Sequence, residues 1–305
     1  MTTGKQLKNY LNQYIDLFRR NKELDYDTYI KLMRALKEEK ANSSILRKAS
    51  RRLMKLAKLI GKSSKAQEHN ISTLGELFTY IGSHSRDFLW RFLKRCDIWL
   101  SGGSTFGLNK EPARPAVALI GLSYLGERKA IEYARAILEN SDMPDLFHQA
   151  AFRSLTLLEA REYFSIETAA CLVKYAHSKK LERSKIYFIL ACLKCLPQKE
   201  EKMFVADLIE MHEWWNPTSY YIPDVSNWQM ELAEIIRICA GALSEAVLER
   251  LSTLGLEQSY TILENVDESG EHRPPGGTAT TTYQFFLVHE IAALELARRK
   301  ETEQR

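Results

Sequence analysis

Arg47, Lys48, Arg51, Lys55, Lys58 and Lys62 recur through the stretch Ser43–Lys65, mostly three and four residues apart. On a helix, residues so spaced share one side, and a fixed row of cations has one main chemistry, the neutralisation of phosphate or carboxylate. With Ile45 set at zero on a helical wheel, Ile45, Leu46, Ala49, Leu53, Leu56, Ala57 and Ile60 gather within roughly a third of a turn on the other side. The pattern predicts an amphipathic helix that docks by its apolar face. It would offer Arg47, Lys48, Arg51, Arg52, Lys55, Lys58, Lys62 and Lys65 to something acidic. Nucleic acid, DNA or RNA, is the expected partner, held through its backbone because each phosphate neutralised releases counterions. A solvated charged face, an anionic membrane surface and the chain's own acidic remainder are the competing readings. The membrane reading is the weaker because the apolar arc has no Trp or Phe of the kind that anchors interfacial helices.

Two flanking groups extend the basic set. Lys31, Arg34, Lys37 and Lys40 lie at three-residue steps just before it. Arg86, Arg91, Lys94 and Arg95 follow on a helix that also carries Trp90 and Trp99. No finger spacing of Cys and His and no basic-region zipper accompanies them, so contact with the backbone is expected rather than reading of base sequence.

A second constellation is aromatic and acidic. Glu213, Trp214, Trp215, Tyr221, Asp224 and Trp228 fall in a connection interrupted by Pro217 and Pro223, and rings with two carboxylates could line a pocket. Packing of a long loop explains the same residues. Cys192-Leu-Lys-Cys195 is the only Cys-x-x-Cys; a zinc site needs two more ligands, so both cysteines are expected to pack. The histidines lack metalloenzyme spacing, and the common phosphate-loop motifs are absent. No metal and no cofactor is expected.

The elements that must position these groups are helices. Apolar residues recur at helical spacing along most of the chain, and the alternating Val, Ile and Thr runs of strands are nearly missing, which predicts an all-α fold. Residues 1–65 are expected to form a basic N-terminal helical region. A polar link over 62–70 would separate it from a helical array spanning 70–300. Long loops are expected at 214–228 and 266–282, and a capping helix over Tyr283–Arg299.

From Arg114 to Leu138 the sequence reads as two short apolar helices joined at Leu125-Gly126-Glu127. Further pairs can be drawn as Asp145–Glu159 with Ile166–His177 and Glu182–Leu196 with Lys199–Trp214, at a step of about 33–38 residues. Over about Pro112 to Trp214 this resembles the HEAT-like α-solenoids, although Ala160-Arg-Glu-Tyr163 and Pro197-Gln-Lys199 stand where the first pair has its glycine turn. A continuation through Asn227–Leu254 is the longer alternative, and an irregular bundle would use the same helices. The resemblance implies a superhelical array that holds a protein partner. HEAT-like folds also include DNA glycosylases, which implies an enzyme centred on Glu213, Asp224 and the tryptophans; that likeness is of fold only, and no catalytic residue is carried over.

The bulk numbers agree with a folded, polyanion-binding chain. It has 305 residues, 45% of them hydrophobic, and a net charge of +4 that hides an asymmetry. The first hundred residues carry 21 basic and 10 acidic side chains, the remainder 22 and 29. No uncharged apolar run approaches the roughly 18–20 residues of a membrane span, and five cysteines are too few for a disulfide framework, so a soluble cytoplasmic protein is expected. The function expected is that of a non-catalytic nucleic-acid-binding scaffold. A protein–protein adaptor without nucleic acid and a glycosylase-type enzyme are the alternatives.

Overall fold

The structure is a computed structural model that describes residues 3–21, 26–38, 43–60, 67–101, 112–179, 181–211, 213–216, 225–261 and 278–303. The chain divides into two compact units, Met1–Tyr175 and Ala176–Arg305. The described residues are helical apart from one two-stranded ribbon. Among them, no helix is long and apolar enough to cross a membrane.

The first unit begins with α1 (Thr3–Asn21), α2 (Tyr26–Glu38), α3 (Ser43–Ile60) and α4 (Gln67–Ile81). A 3-10 turn, Gly82–Ser85, leads into α5 (Arg86–Leu93), and a second, Lys94–Cys96, into α6 (Asp97–Leu100). Then come α7 (Ala113–Tyr124), α8 (Arg128–Glu139) and α9 (Asp145–Leu155); α10 (Ile166–Lys179) runs across the division between the units. The basic helix α3 packs on α1, α4 and α7. Residues 1–65 therefore share a compact unit with the helices beyond the polar stretch 62–70. Composition alone does not reveal this, because what joins the two sides is the buried face Ile71, Leu74, Leu77 and Phe78 of α4, which needs partners from elsewhere in the chain.

At the centre of this unit α4 and α7 meet at glycines. A methyl group on Gly75 would stand 2.7 Å from Ile120 Cβ and 3.3 Å from the Gly121 nitrogen. One on Gly121 would stand 3.1 Å from Leu89 Cδ1 and 3.4 Å from the Gly75 carbonyl oxygen. The backbones approach because neither position carries a side chain.

The Leu125-Gly126-Glu127 join forms as its residues predict. The Glu127 amide donates to the Leu122 carbonyl at 3.1 Å and the Gly126 amide to that of Ser123 at 3.0 Å, while Gly126 takes φ of +70°. This crossed pair of bonds satisfies the last carbonyls of α7 and requires a left-handed residue, which glycine supplies without a Cβ penalty.

The second unit contains α11 (Arg183–Leu193), α12 (Gln198–Met211), a 3-10 turn Glu213–Trp215 and α13 (Val225–Cys239). A further turn, Ala240–Ala242, precedes α14 (Glu245–Ser252), and the last helix is α15 (Phe286–Glu303), packed on α13 and α14. Between α14 and α15 lies the departure from the helical expectation. Strand β1 (Gly255–Thr261) pairs antiparallel with β2 (Thr278–Gln284), from Gly255 opposite Gln284 to Thr261 opposite Thr278. Thus 278–282, expected to belong to a long loop, is strand, and Tyr283, expected to open the last helix, is strand as well. The physical reason is the run Thr280-Thr281-Thr282-Tyr283: β-branched and aromatic residues fit an extended ladder better than a helix, even without apolar alternation. The part of that loop over 266–277 lies outside the described residues.

Arg299 fastens α15 to the turn before α14. Its Nη2 donates to the carbonyls of Ala240 at 3.1 Å, Gly241 at 3.3 Å and Leu243 at 2.8 Å, and its Nε donates to Glu295 Oε1 at 2.9 Å. Arg298 adds a two-bond clasp on the same carboxylate, at 2.7 and 2.9 Å. The Arg298 bonds, followed by those of Arg299, outweigh partial burial and hold the Glu295 carboxyl down to about 2. A carboxyl depressed in the folded state stabilises fully above its ordinary pKa of about 4.5 and loses that contribution as the pH falls through the folded value. Thermal melts of the wild type and Glu295→Gln are expected to differ at neutral pH and to converge as the pH is lowered from about 5 to about 2. A difference that stays constant over that range would place the effect of Glu295 elsewhere.

Candidate functional site

Helix α3 is held as its wheel predicts. Leu46, Ala49, Leu53, Leu56, Ala57 and Ile60 are buried, and at about 1.5–3 kcal/mol for each large side chain their burial fixes the helix firmly. The buried side is wider than the apolar arc, since Ser50 and Met54 are also covered. Ser50 satisfies its hydroxyl by donating to the Leu46 carbonyl at 3.0 Å, and Arg114 Nε donates to the Met54 carbonyl at 3.3 Å.

Arg47, Lys48, Arg51, Lys55 and Lys58 are exposed. Arg52 is not part of the open row: it is half-buried and donates from Nη1 to Asn12 Oδ1 of α1 at 2.8 Å. Its position explains the difference, because on the wheel it sits at the margin of the apolar arc, where α1 docks. Lys62 and Lys65 lie outside the described residues. Of the preceding ladder, Lys31 and Arg34 are exposed, Lys37 sits 4.9 Å over the Tyr80 ring, and Lys40 lies outside the described residues.

One part of the basic face is concave. Arg47, Ser50 and Arg51 of α3 form one wall of a cleft of about 260 Å³. His84 of the 3-10 turn and Asp87, Phe88 and Arg91 of α5 form the other. Among the described residues, Arg47, Arg51 and Arg91 make no ion pair. Three guanidinium groups and one carboxylate line this space, which leaves an excess of positive charge for an anion to neutralise. Arg91 is among the basic residues that the sequence points to; His84, Asp87 and Phe88 are not. The available signal is spacing within α5, since 88 and 91 are three residues apart and so share one helical face. What sequence spacing does not reveal is that this face closes against α3.

The aromatic constellation has a different role. Trp214, Trp215 and Trp228 are only 1–5% exposed. Trp214 and Trp228 meet edge to face at 6.1 Å, and Tyr187 lies against each at 6.0 and 6.1 Å. The indole nitrogens of Trp214 and Trp215 donate to the carbonyls of Leu208 and Ile209 at 3.0 and 2.9 Å, satisfying two of the last carbonyls of α12. Arg183 stacks 3.8 Å over Trp228 and donates from Nε and Nη2 to the Trp214 carbonyl. These rings are a packed core with a capping function. Tyr221 and Asp224 lie outside the described residues, as does the side chain of Glu213.

Cys192 is buried and Cys195 exposed, so the pair does not share one environment. Among the described residues no three His, Cys, Asp or Glu side chains gather as a metal site requires.

Likeness to known proteins does not choose among these readings. No family model, no curated protein and no solved structure matches the chain. The functional reading rests on the geometry of α3 and its cleft.

Proposed function

We propose that this protein binds nucleic acid through its phosphate backbone, using the exposed face of α3. The observation that carries this reading is the unpaired state of Arg47, Lys48, Arg51 and Lys55, which make no ion pair or hydrogen bond with the described residues although 39 acids are present in the chain. A solvated face would ordinarily intersperse acids among its bases, and from Lys31 to Lys65 only Glu38 and Glu39 do so. The helical pairs beyond α3, read as a HEAT-like array, would hold a protein partner; the packing of α7 on α8 and of α11 on α12, each pair consecutive in the chain, supports that part of the reading.

The test is fluorescence anisotropy of labelled DNA and RNA oligonucleotides over a salt series. Each backbone contact on a duplex contributes about −0.9 to the slope of log K against log salt. Reversing three charges, in Lys48→Glu, Arg51→Glu and Lys55→Glu together, is expected to flatten that slope by two to three contacts, roughly 2–3 units of slope. The circular dichroism spectrum should be unchanged, because these side chains are exposed. Absence of binding by the wild type at low salt would overturn the proposal in favour of a protein adaptor.

A further inference from the structure

The cleft between α3 and α5 has two chemically different walls. Arg47 and Arg51 present cations on the α3 side, with the Ser50 hydroxyl already committed to the Leu46 carbonyl. The α5 side presents the half-buried Phe88 ring, a carboxylate from Asp87, the His84 ring and a third cation, Arg91. A site for a bare anion has no use for an aromatic face and is weakened by a carboxylate. A site for one unit of a polymer, phosphate at one end and a planar base at the other, uses all of them.

We infer that this cleft takes one splayed nucleotide of a single strand, with its phosphate on Arg47 and Arg51 and its base against Phe88. The inference rests on the nucleic-acid reading above and narrows it to single-stranded substrate. In a duplex the faces of the bases are covered by their neighbours, so a ring set between arginines gains nothing from double-stranded nucleic acid. In a single strand every base has a free face, and stacking on aromatic side chains tolerates any sequence. Asp87 accepts a hydrogen bond from a ring imino N–H or an exocyclic amino group of the base. Arg91 closes the outer end beside the next phosphate. The edge-to-face contact of Phe88 with Phe92, centroids 5.2 Å apart, fixes the plane of the ring.

The experiment compares a labelled twelve-residue oligothymidine with a twelve-base-pair duplex, both titrated by anisotropy against the full-length protein. Phe88→Ala is expected to weaken single-strand binding about tenfold or more while changing duplex binding less than twofold. Phe88→Trp, which keeps an aromatic face, should retain wild-type affinity, and Arg91→Gln, an exposed change that leaves Phe88 in place, should weaken the single strand by about threefold or more. If Phe88→Ala lowers the affinity for both oligonucleotides equally, or if neither Phe88→Ala nor Arg91→Gln alters single-strand binding, the inference is overturned and the general backbone reading stands. If the wild-type protein binds neither oligonucleotide at low salt, the underlying reading fails with it.

Discussion

Gly75→Leu is expected to lower the stability of the first unit by about 3 kcal/mol or more, with a fall in melting temperature on the order of 10 °C. Intrinsic propensity argues the other way, since leucine is favoured over glycine inside a helix by up to about 1 kcal/mol. Packing outweighs it. Even the first carbon of the new side chain would stand 2.7 Å from Ile120 Cβ, which cannot swing aside as the end of a long side chain can, and 3.3 Å from a backbone nitrogen of α7. Helices α4 and α7 must separate, and the buried face of α7 from Ala116 to Leu122 is opened with them. A thermal melt followed by circular dichroism decides it. A variant that melts with the wild type would mean that the two helices do not meet at their backbones.

In the second unit, the largest loss is expected from Trp215→Ala, at about 4 kcal/mol. Trp215 is among the largest fully buried side chains, its indole nitrogen caps the Ile209 carbonyl, and Arg250 stands 5.1 Å over its ring. Removing it creates a cavity and leaves a carbonyl near the end of α12 without its donor. Trp215→Phe separates the two effects, because it keeps most of the volume and loses only the hydrogen bond, for which about 1–2 kcal/mol is expected. Denaturant unfolding of the three proteins gives the comparison. Equal losses for Ala and Phe would assign the whole effect to the cap, and no loss for either would remove Trp215 from the core.

The sequence showed most where local chemistry dictates structure. The Leu125-Gly126-Glu127 join was legible because a helix end that needs a left-handed residue selects glycine, and no distant contact alters that need. The docked and solvent faces of α3 were legible because a single helix repeats every 3.6 residues whatever surrounds it. What stayed hidden depends on partners distant in sequence. The Gly75 and Gly121 contact joins positions far apart in the chain, and each glycine alone resembles a weak point in a helix. His84 and Phe88 acquire meaning only when α5 lies beside α3. The ribbon is hidden for a different reason: Thr280-Thr281-Thr282 lacks the apolar alternation that marks a strand in a sequence. The tryptophans read as chemistry in the sequence although the nitrogens of Trp214 and Trp215 cap a helix, since nothing in the spacing distinguishes a ring that lines a space from one that fills it.

Arg183, Arg299 and Arg114 each direct a guanidinium group at main-chain carbonyl oxygens. These groups remain charged, but they act as fasteners, fixed in place and partly covered, and a tally of residues treats them as if they faced solvent. In the second unit, Arg183 and Arg299 so used make two of its basic residues part of the scaffold, where they hold the Trp214 turn and the Ala240–Ala242 turn in place.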